Sequence, residues 1–218
     1  MQVQIKTSFR RTARLIRNDR EFLRAARRMP KPVPWDWAAP RLIPLLAGPR
    51  NDAPGEELVR APSQLGPALT FGIDLGGHSP LVDRSVAARW ETSAEQLLAV
   101  SLENLRRRAA AIGDGSVETW VRSGYIVRVL RRPVGFASSL LLVPEELSRL
   151  FGGHDQVFGA PGRHTIVSFP AGMPTATVAG IHVEMEIDEL MPLFLLPFAM
   201  EDGSLAWLDS EFEGTDDD

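Results

Sequence analysis

The sequence predicts an α+β protein in which a mainly antiparallel sheet carries helices packed on one face. Three observations predict it. Strand-like runs follow one another across tight turns such as Ser123-Gly124, and strands joined in this way must be antiparallel. The helical stretches stand apart from these runs along the chain. With 218 residues, 44% of them hydrophobic, the chain is long enough to bury a core of its own.

The N-terminal part of the chain divides into two segments. Residues 1–29 are predicted to form a basic helical extension, since apolar residues recur at three- and four-residue steps from Ser8 to Met29 while most arginines lie off that line. Residues 30–67 contain nine prolines, which prevent long helices. Because this segment also carries Trp35 and Trp37, we predict an ordered Pro-rich strap that lies over the main domain.

Residues 68–208 form the predicted α+β domain, and residues 209–218 an acidic tail. The predicted elements, in order, are a strand at 68–75, a helix at 90–111, strands at 117–122, 125–130 and 136–143, a helix at 144–151, strands at 156–160 and 163–169 about a Pro161-Gly162 turn, an open segment at 176–190, and a hairpin of 192–200 and 204–208. Thr92 and Glu95 have capping-box spacing, and Pro144 suits a first helical turn. The segment 176–190 fits both a strand and a helix, so its structure stays open.

Charge is sorted by position in this chain. Residues 1–50 hold 12 Lys and Arg against 3 Asp and Glu, whereas residues 164–218 hold 12 Asp and Glu and no Lys or Arg. We expect the basic head and the acidic tail to attract each other, or each to attract a partner. The chain has no cysteine, its first 20 residues lack an apolar signal region, and its longest apolar run has ten residues. A cytoplasmic protein without membrane contact is therefore expected.

Several short motifs give the chain a family resemblance. They are Gly72–Gly76, Trp90–Leu97, Ser101–Leu105, Gly135–Leu141, Val157–Pro161 and the turn at Asp202-Gly203. Over roughly residues 41–208 the sequence resembles the YtpQ-like family of uncharacterised bacterial proteins. The order of elements, α-β-β-β-α-β-β-α with an added C-terminal hairpin and N-terminal helix, is also similar to that of type III secretion chaperones and YbjN-like proteins. The resemblance implies a fold and a bacterial origin, and no established activity.

Three residues within these motifs are predicted to have structural roles. Asp74 follows a strand beside Gly76 and is suited to cap the turn there. Asn104 lies late in a helix, where its amide can hydrogen-bond a neighbouring loop and lock it.

No motif for catalysis, metal or nucleotide binding is present. The chain lacks HExxH, GxSxG, a Walker A loop and GxGxxG, so we predict no catalytic residue, no metal and no cofactor. An enzyme of unrecognised class stays an alternative, with His154, Asp155 and Arg163, or Asp74 and His78, as its chemical groups. The segment from Gly159 to Arg163 could also nest an anion through its backbone N–H groups.

The sequence favours a non-catalytic binding protein that holds a peptide or protein partner, as a chaperone or adaptor does. An open antiparallel sheet has edges that can accept an extended strand. The candidate contact residues are Trp35, Trp37, Tyr125, Phe136 and Arg163. A homodimer through a sheet edge or the N-terminal helix is a further expectation. Nucleic-acid binding through the Arg-rich N-terminal helix is a second alternative, which the acidic charge of the remaining chain disfavours.

Overall fold

The structure is a computed structural model that describes residues 21–47, 57–66, 68–76, 78–131, 135–153, 156–189 and 191–208. Of the predicted helix at 8–29, residues 21–26 are helical and the part before residue 21 lies outside the described residues. The acidic tail at 209–218 lies outside them too, so the attraction predicted between the two ends stays a prediction.

The α+β class with a mainly antiparallel sheet is confirmed. The elements are α1 (Trp35–Ala38), β1 (Leu42–Leu46), β2 (Arg60–Ala61), β3 (Leu69–Ile73), α2 (Arg84–Arg89), α3 (Ala94–Ala110), β4 (Val117–Arg122), β5 (Tyr125–Leu130), α4 (Pro144–Phe151), β6 (Gln156–Gly162), β7 (Thr165–Pro170), α5 (Thr175–Asp188), β8 (Phe198–Glu201) and β9 (Ser204–Trp207). Three 3-10 turns lie at Ala39–Arg41, Asp114–Ser116 and Ala137–Leu142.

The larger sheet has six strands in the order β4-β5-β7-β6-β8-β9, all antiparallel to their neighbours. Its helices cover both faces, which corrects the prediction that they pack on one. Side chains of β5, β6 and β7 alternate between two apolar clusters, one shared with α4 and one shared with α5. Since successive strand residues point to opposite faces, these clusters lie on the two sides of the sheet.

The smaller sheet, in the order β1-β3-β2, lies inside the core and not over it. All five residues of β1 are buried, although they belong to the segment predicted as a strap. Pro44 is tolerated because β1 is an edge strand, where its missing N–H leaves no neighbour unpaired. The outward carbonyls of Leu42 and Pro44 accept hydrogen bonds from Asn104 Nδ2 at 3.0 Å and Ser139 Oγ at 2.6 Å.

The strand predicted at 136–143 is wrong, because Ala137–Leu142 is a buried 3-10 turn between the two sheets. Its serine hydroxyls explain how polar side chains are tolerated there. Ser138 Oγ donates to the carbonyl of Arg163 at 3.1 Å, and Ser139 Oγ donates to that of Pro44. One hydrophobic cluster runs from β1 and β3 through this turn to β6, β7 and β8, so the two sheets share a core.

Three further boundaries differ from the sequence predictions. The open segment at 176–190 is helix α5, whose buried side chains recur at three- and four-residue steps. Helix α3 is capped by Ser93 and Gln96, one residue later than predicted, and both bonds of the capping box are present. The β6–β7 turn falls at Arg163 and His164, since β6 continues through Gly162 with a bulge. None of the described helices combines the length and hydropathy needed to cross a membrane.

Candidate functional site

The two predicted tryptophans of the N-terminal segment pack mainly against their own protein. Trp35 and Trp37 both lie on α1, are partly buried and contact the shared core. The Trp35 ring lies 5.5 Å from that of Trp90, and the guanidinium of Arg41 lies 4.4 Å from the centre of the Trp37 ring. Both indole rings therefore contribute to the packing of α1 on the core.

The structure does not bring the other predicted contact residues together with them. Tyr125 begins β5 and is partly buried beside the α5 cluster. Phe136 is only 7% exposed and belongs to the core, which corrects its prediction as a partner contact. Arg163 lies in the β6–β7 turn, beside residues 79–85 and 191. Apart from Trp35 and Trp37, which share α1, the candidates therefore belong to separate elements of the fold.

The three predicted motif residues take part in contacts that hold two chain segments against α3. Asp74 accepts a hydrogen bond from Gly76 N–H at 2.9 Å and forms an ion pair with Arg108 of α3. Asn104 donates to the carbonyls of Ala39, at 2.7 Å, and Leu42. These contacts fix the chain before β1 and after β3, so they position the small sheet on the helix.

The residues of the two enzyme hypotheses are not assembled into a site by the described chain. His154 and Asp155 lie outside the described residues. The carboxylate of Asp74 is occupied by Arg108, while His78 lies 3.9 Å from Glu21. Among the described residues, no three His, Asp or Glu side chains group closely enough to hold a metal ion.

Helix α5 carries the buried His182 and, one helical turn later, the partly buried Glu186. The Nε2 atom of His182 is buried without a hydrogen-bond partner, and burial lowers its pKa to about 4. Burial also raises the pKa of Glu186, whose carboxyl is hydrogen-bonded by the backbone of Phe194 and Leu195. A Cβ on Gly159 would lie 2.5 Å from His182 Cδ2, so this glycine gives the imidazole its space. Packed in this way, His182 has a structural role.

Strand β4 is one of the two edge strands of the six-stranded sheet, β9 being the other, and no strand of the described residues pairs with its outer side. It pairs with β5 through a two-residue turn in which Ser123 and Gly124 have φ of 49° and 79°, as a type I′ turn requires. In such a hairpin the residues Arg122 and Tyr125, next to the turn, form a hydrogen-bonded pair. Pairs further along β4 and β5 are alternately non-hydrogen-bonded and hydrogen-bonded. The N–H and C=O groups of Val117, Thr119 and Val121 therefore point outward from the sheet.

The two faces of the β4–β5 hairpin differ in chemistry. On one face Val121 and Ile126 are register partners and are 67% and 60% exposed. On the other, the indole of Trp120 lies 4.4 Å from the guanidinium of Arg131 and 5.1 Å from that of Arg122. The edge thus combines free backbone groups, an exposed apolar pair and arginine side chains.

A second feature is an open cavity of about 630 Å³ beside the β6–β7 turn. Arg163 lines it although only 6% of this residue is exposed, and its Nε has no hydrogen-bond partner. Ser79 lines the same cavity, and its buried Oγ has no partner either. Sequence analysis selected Arg163, but no local pattern marks Ser79, because its environment is built by distant segments.

No family model, no curated protein and no solved structure matches the chain. The resemblance to the YtpQ-like family stays a prediction.

Proposed function

We propose that the protein is a non-catalytic binding protein that holds an extended peptide or protein segment, in the manner of a chaperone or adaptor. The supporting observation is the β4 edge, which no other strand of the described residues occupies. An extended segment aligned with it would accept and donate backbone hydrogen bonds at Val117, Thr119 and Val121 and become a seventh strand.

The side chains of the hairpin favour one kind of segment. Val121 and Ile126 offer apolar contact on one face. On the other, the two positive charges of Arg122 and Arg131 exceed the one negative charge of Glu118, which accepts a hydrogen bond from Trp120. Successive residues of an added strand point alternately to these two faces. A segment that alternates apolar and acidic residues therefore complements both.

Fluorescence anisotropy with a labelled, C-terminally amidated (Val-Glu)5 peptide tests the proposal. We expect saturable binding that is at least about fivefold tighter than binding of the matched (Val-Lys)5 peptide, because the charge contacts reverse. Thr119→Pro is expected to weaken binding at least about tenfold, since the ring removes an outward N–H and obstructs the incoming strand.

Thr119→Ser is the matched control, because it retains the outward N–H and should bind as the wild type does. Thermal unfolding must show that both variants are folded, and Pro at an edge position facing solvent is compatible with a strand. Equal affinity of folded Thr119→Pro and wild type would rule out strand addition at β4.

A further inference from the structure

Arg163 is a buried cation without a counter-ion among the described residues. Its Nε has no hydrogen-bond partner, and no described carboxylate forms an ion pair with its guanidinium. Burial lowers the pKa of this guanidinium, yet an arginine remains charged in proteins at neutral pH. Because buried charges are as a rule paired, the site calls for an anion.

The main chain of Arg163 is held in place, so the turn cannot swing this residue away from the cavity. Its N–H donates to the carbonyl of Met191 at 3.1 Å. Its own carbonyl accepts from Ser138 N–H at 3.3 Å and from Ser138 Oγ at 3.1 Å. Moving the turn would break these three bonds, two of them to the buried 3-10 turn between the sheets.

The walls of the cavity are mixed in character. The apolar part is formed by Phe22, Leu58, Pro80, Leu81 and Met191, and the polar and charged part by Glu57, Ser79, Asp83, Arg84, Ser85 and Arg163. Ser79 adds a hydroxyl that is buried and without a hydrogen-bond partner. A cation and a hydroxyl donor beside apolar walls can fix the orientation of a small ligand.

The other charged residues of the cavity do not neutralise Arg163. Glu57 and Arg84 lie at the exposed rim, 3.9 Å from each other. Asp83 accepts hydrogen bonds from Ser85 Oγ and Val86 N–H, both at 2.7 Å, and these bonds lower its pKa. Asp83 thus serves as the N-cap of α2.

We propose that this cavity binds the carboxylate group of a ligand with an apolar body, with Arg163 as the counter-ion and Ser79 as a second donor. A single guanidinium matches the single charge of a carboxylate, whereas a phosphate dianion would leave one charge unpaired in a cavity that Glu57 and Asp83 also line. The carboxylate can belong to a small carboxylic acid or to the C-terminus of a peptide. This goes beyond the proposed strand addition at β4 and does not depend on it.

A titration of the full-length protein, ¹⁵N-labelled on arginine, tests the inference. The probes are sodium hexanoate and the acid acetyl-Gly-Leu, with hexanamide and acetyl-Gly-Leu-amide as uncharged controls. We expect the Nε–Hε resonance of Arg163, assigned by its absence in Arg163→Met, to shift saturably with the acids and not with the amides. A Kd of about 1 mM or lower is expected for at least one acid.

Two variants locate the binding. Arg163→Met should weaken acid binding at least about tenfold, as measured by calorimetry. Ser79→Ala, which removes only the hydroxyl, should weaken it about threefold to tenfold and keeps the inference testable if Arg163→Met does not fold. Hexanoate binding as tight as peptide binding identifies a small acid as the ligand type, and peptide binding at least about tenfold tighter identifies a C-terminus.

The inference is overturned if neither acid shifts the Arg163 resonance, if the amides shift it equally, or if both variants bind the acids like the wild type. Thr119→Pro should leave acid binding unchanged, so failure at β4 and failure at this cavity are distinguishable.

Discussion

Replacing Arg163 with methionine is expected to stabilise the ligand-free protein, although only 6% of this arginine is exposed to solvent. Methionine matches the length of the aliphatic stem and carries no charge. Bringing an ion out of water costs several kcal/mol even after relaxation, and replacing buried ionic groups by apolar ones often stabilises a protein by about 1–4 kcal/mol. Because the cavity is open to solvent, we expect the lower part of this range, about 1–2 kcal/mol.

Differential scanning calorimetry measures this effect. In a chain of 218 residues, 1 kcal/mol corresponds to about 2–4 °C in Tm, so a rise of about 2–8 °C is expected. The control is Arg84→Met, whose side chain lines the same cavity but is 70% exposed, and which should change stability by less than about 0.5 kcal/mol. A fall in Tm for Arg163→Met refutes the reasoning. It would mean that a carboxylate of the same chain pairs with the guanidinium, since breaking a buried pair costs about 3–5 kcal/mol.

Three other predictions concern stability. Asn104→Ala should cost about 2–4 kcal/mol in urea unfolding, because the carbonyls of Ala39 and Leu42 lose their donor. Gly159→Ala should cost about 1–3 kcal/mol in the same assay by forcing a methyl against His182. His182, with its pKa lowered from 6.5 to about 4, stays neutral in the folded protein while the unfolded chain takes up a proton. Stability should therefore fall as pH drops from 6.5 to 4, by at most about 3 kcal/mol, and His182→Gln should reduce this dependence; an unchanged pH profile in that variant would contradict the assignment.

Local sequence patterns predicted those elements whose signals are complete within a few residues. The turn at Ser123-Gly124 and the helix opening at Pro144 are of this kind, because the required φ values belong to the turn residues and to proline themselves. The cap of α3 was predicted one residue too early. Thr92 and Ser93 both have a residue three positions later, Glu95 and Gln96, that can complete a capping box. Only the packing of the helix selects between them.

The errors concern apolar runs whose structure depends on distant segments. The run at 136–143 is as apolar as a strand, but periodicity cannot separate a short buried strand from a buried helical turn. Conversely, the strand at Leu42–Leu46 was not predicted within the Pro-rich segment. The nitrogen of its Pro44 lies on the outer side of an edge strand, where Asn104 and Ser139 donate to the carbonyls of Leu42 and Pro44. The cavity at Arg163 was likewise not predicted, because its donors Ser79 and Arg163 lie far apart in the chain and become buried only when the chain folds.

The serine-bearing turn at Ala137–Leu142 has a consequence for how the molecule comes apart. The two sheets share one apolar cluster through this segment, and each is hydrogen-bonded to it by a serine hydroxyl. Amide protons in β3 and in β7 should consequently exchange through a common opening event, with similar protection. If the chain were divided near residue 67, each fragment would expose apolar surface that the other covers in the intact protein. Neither fragment is therefore expected to fold on its own.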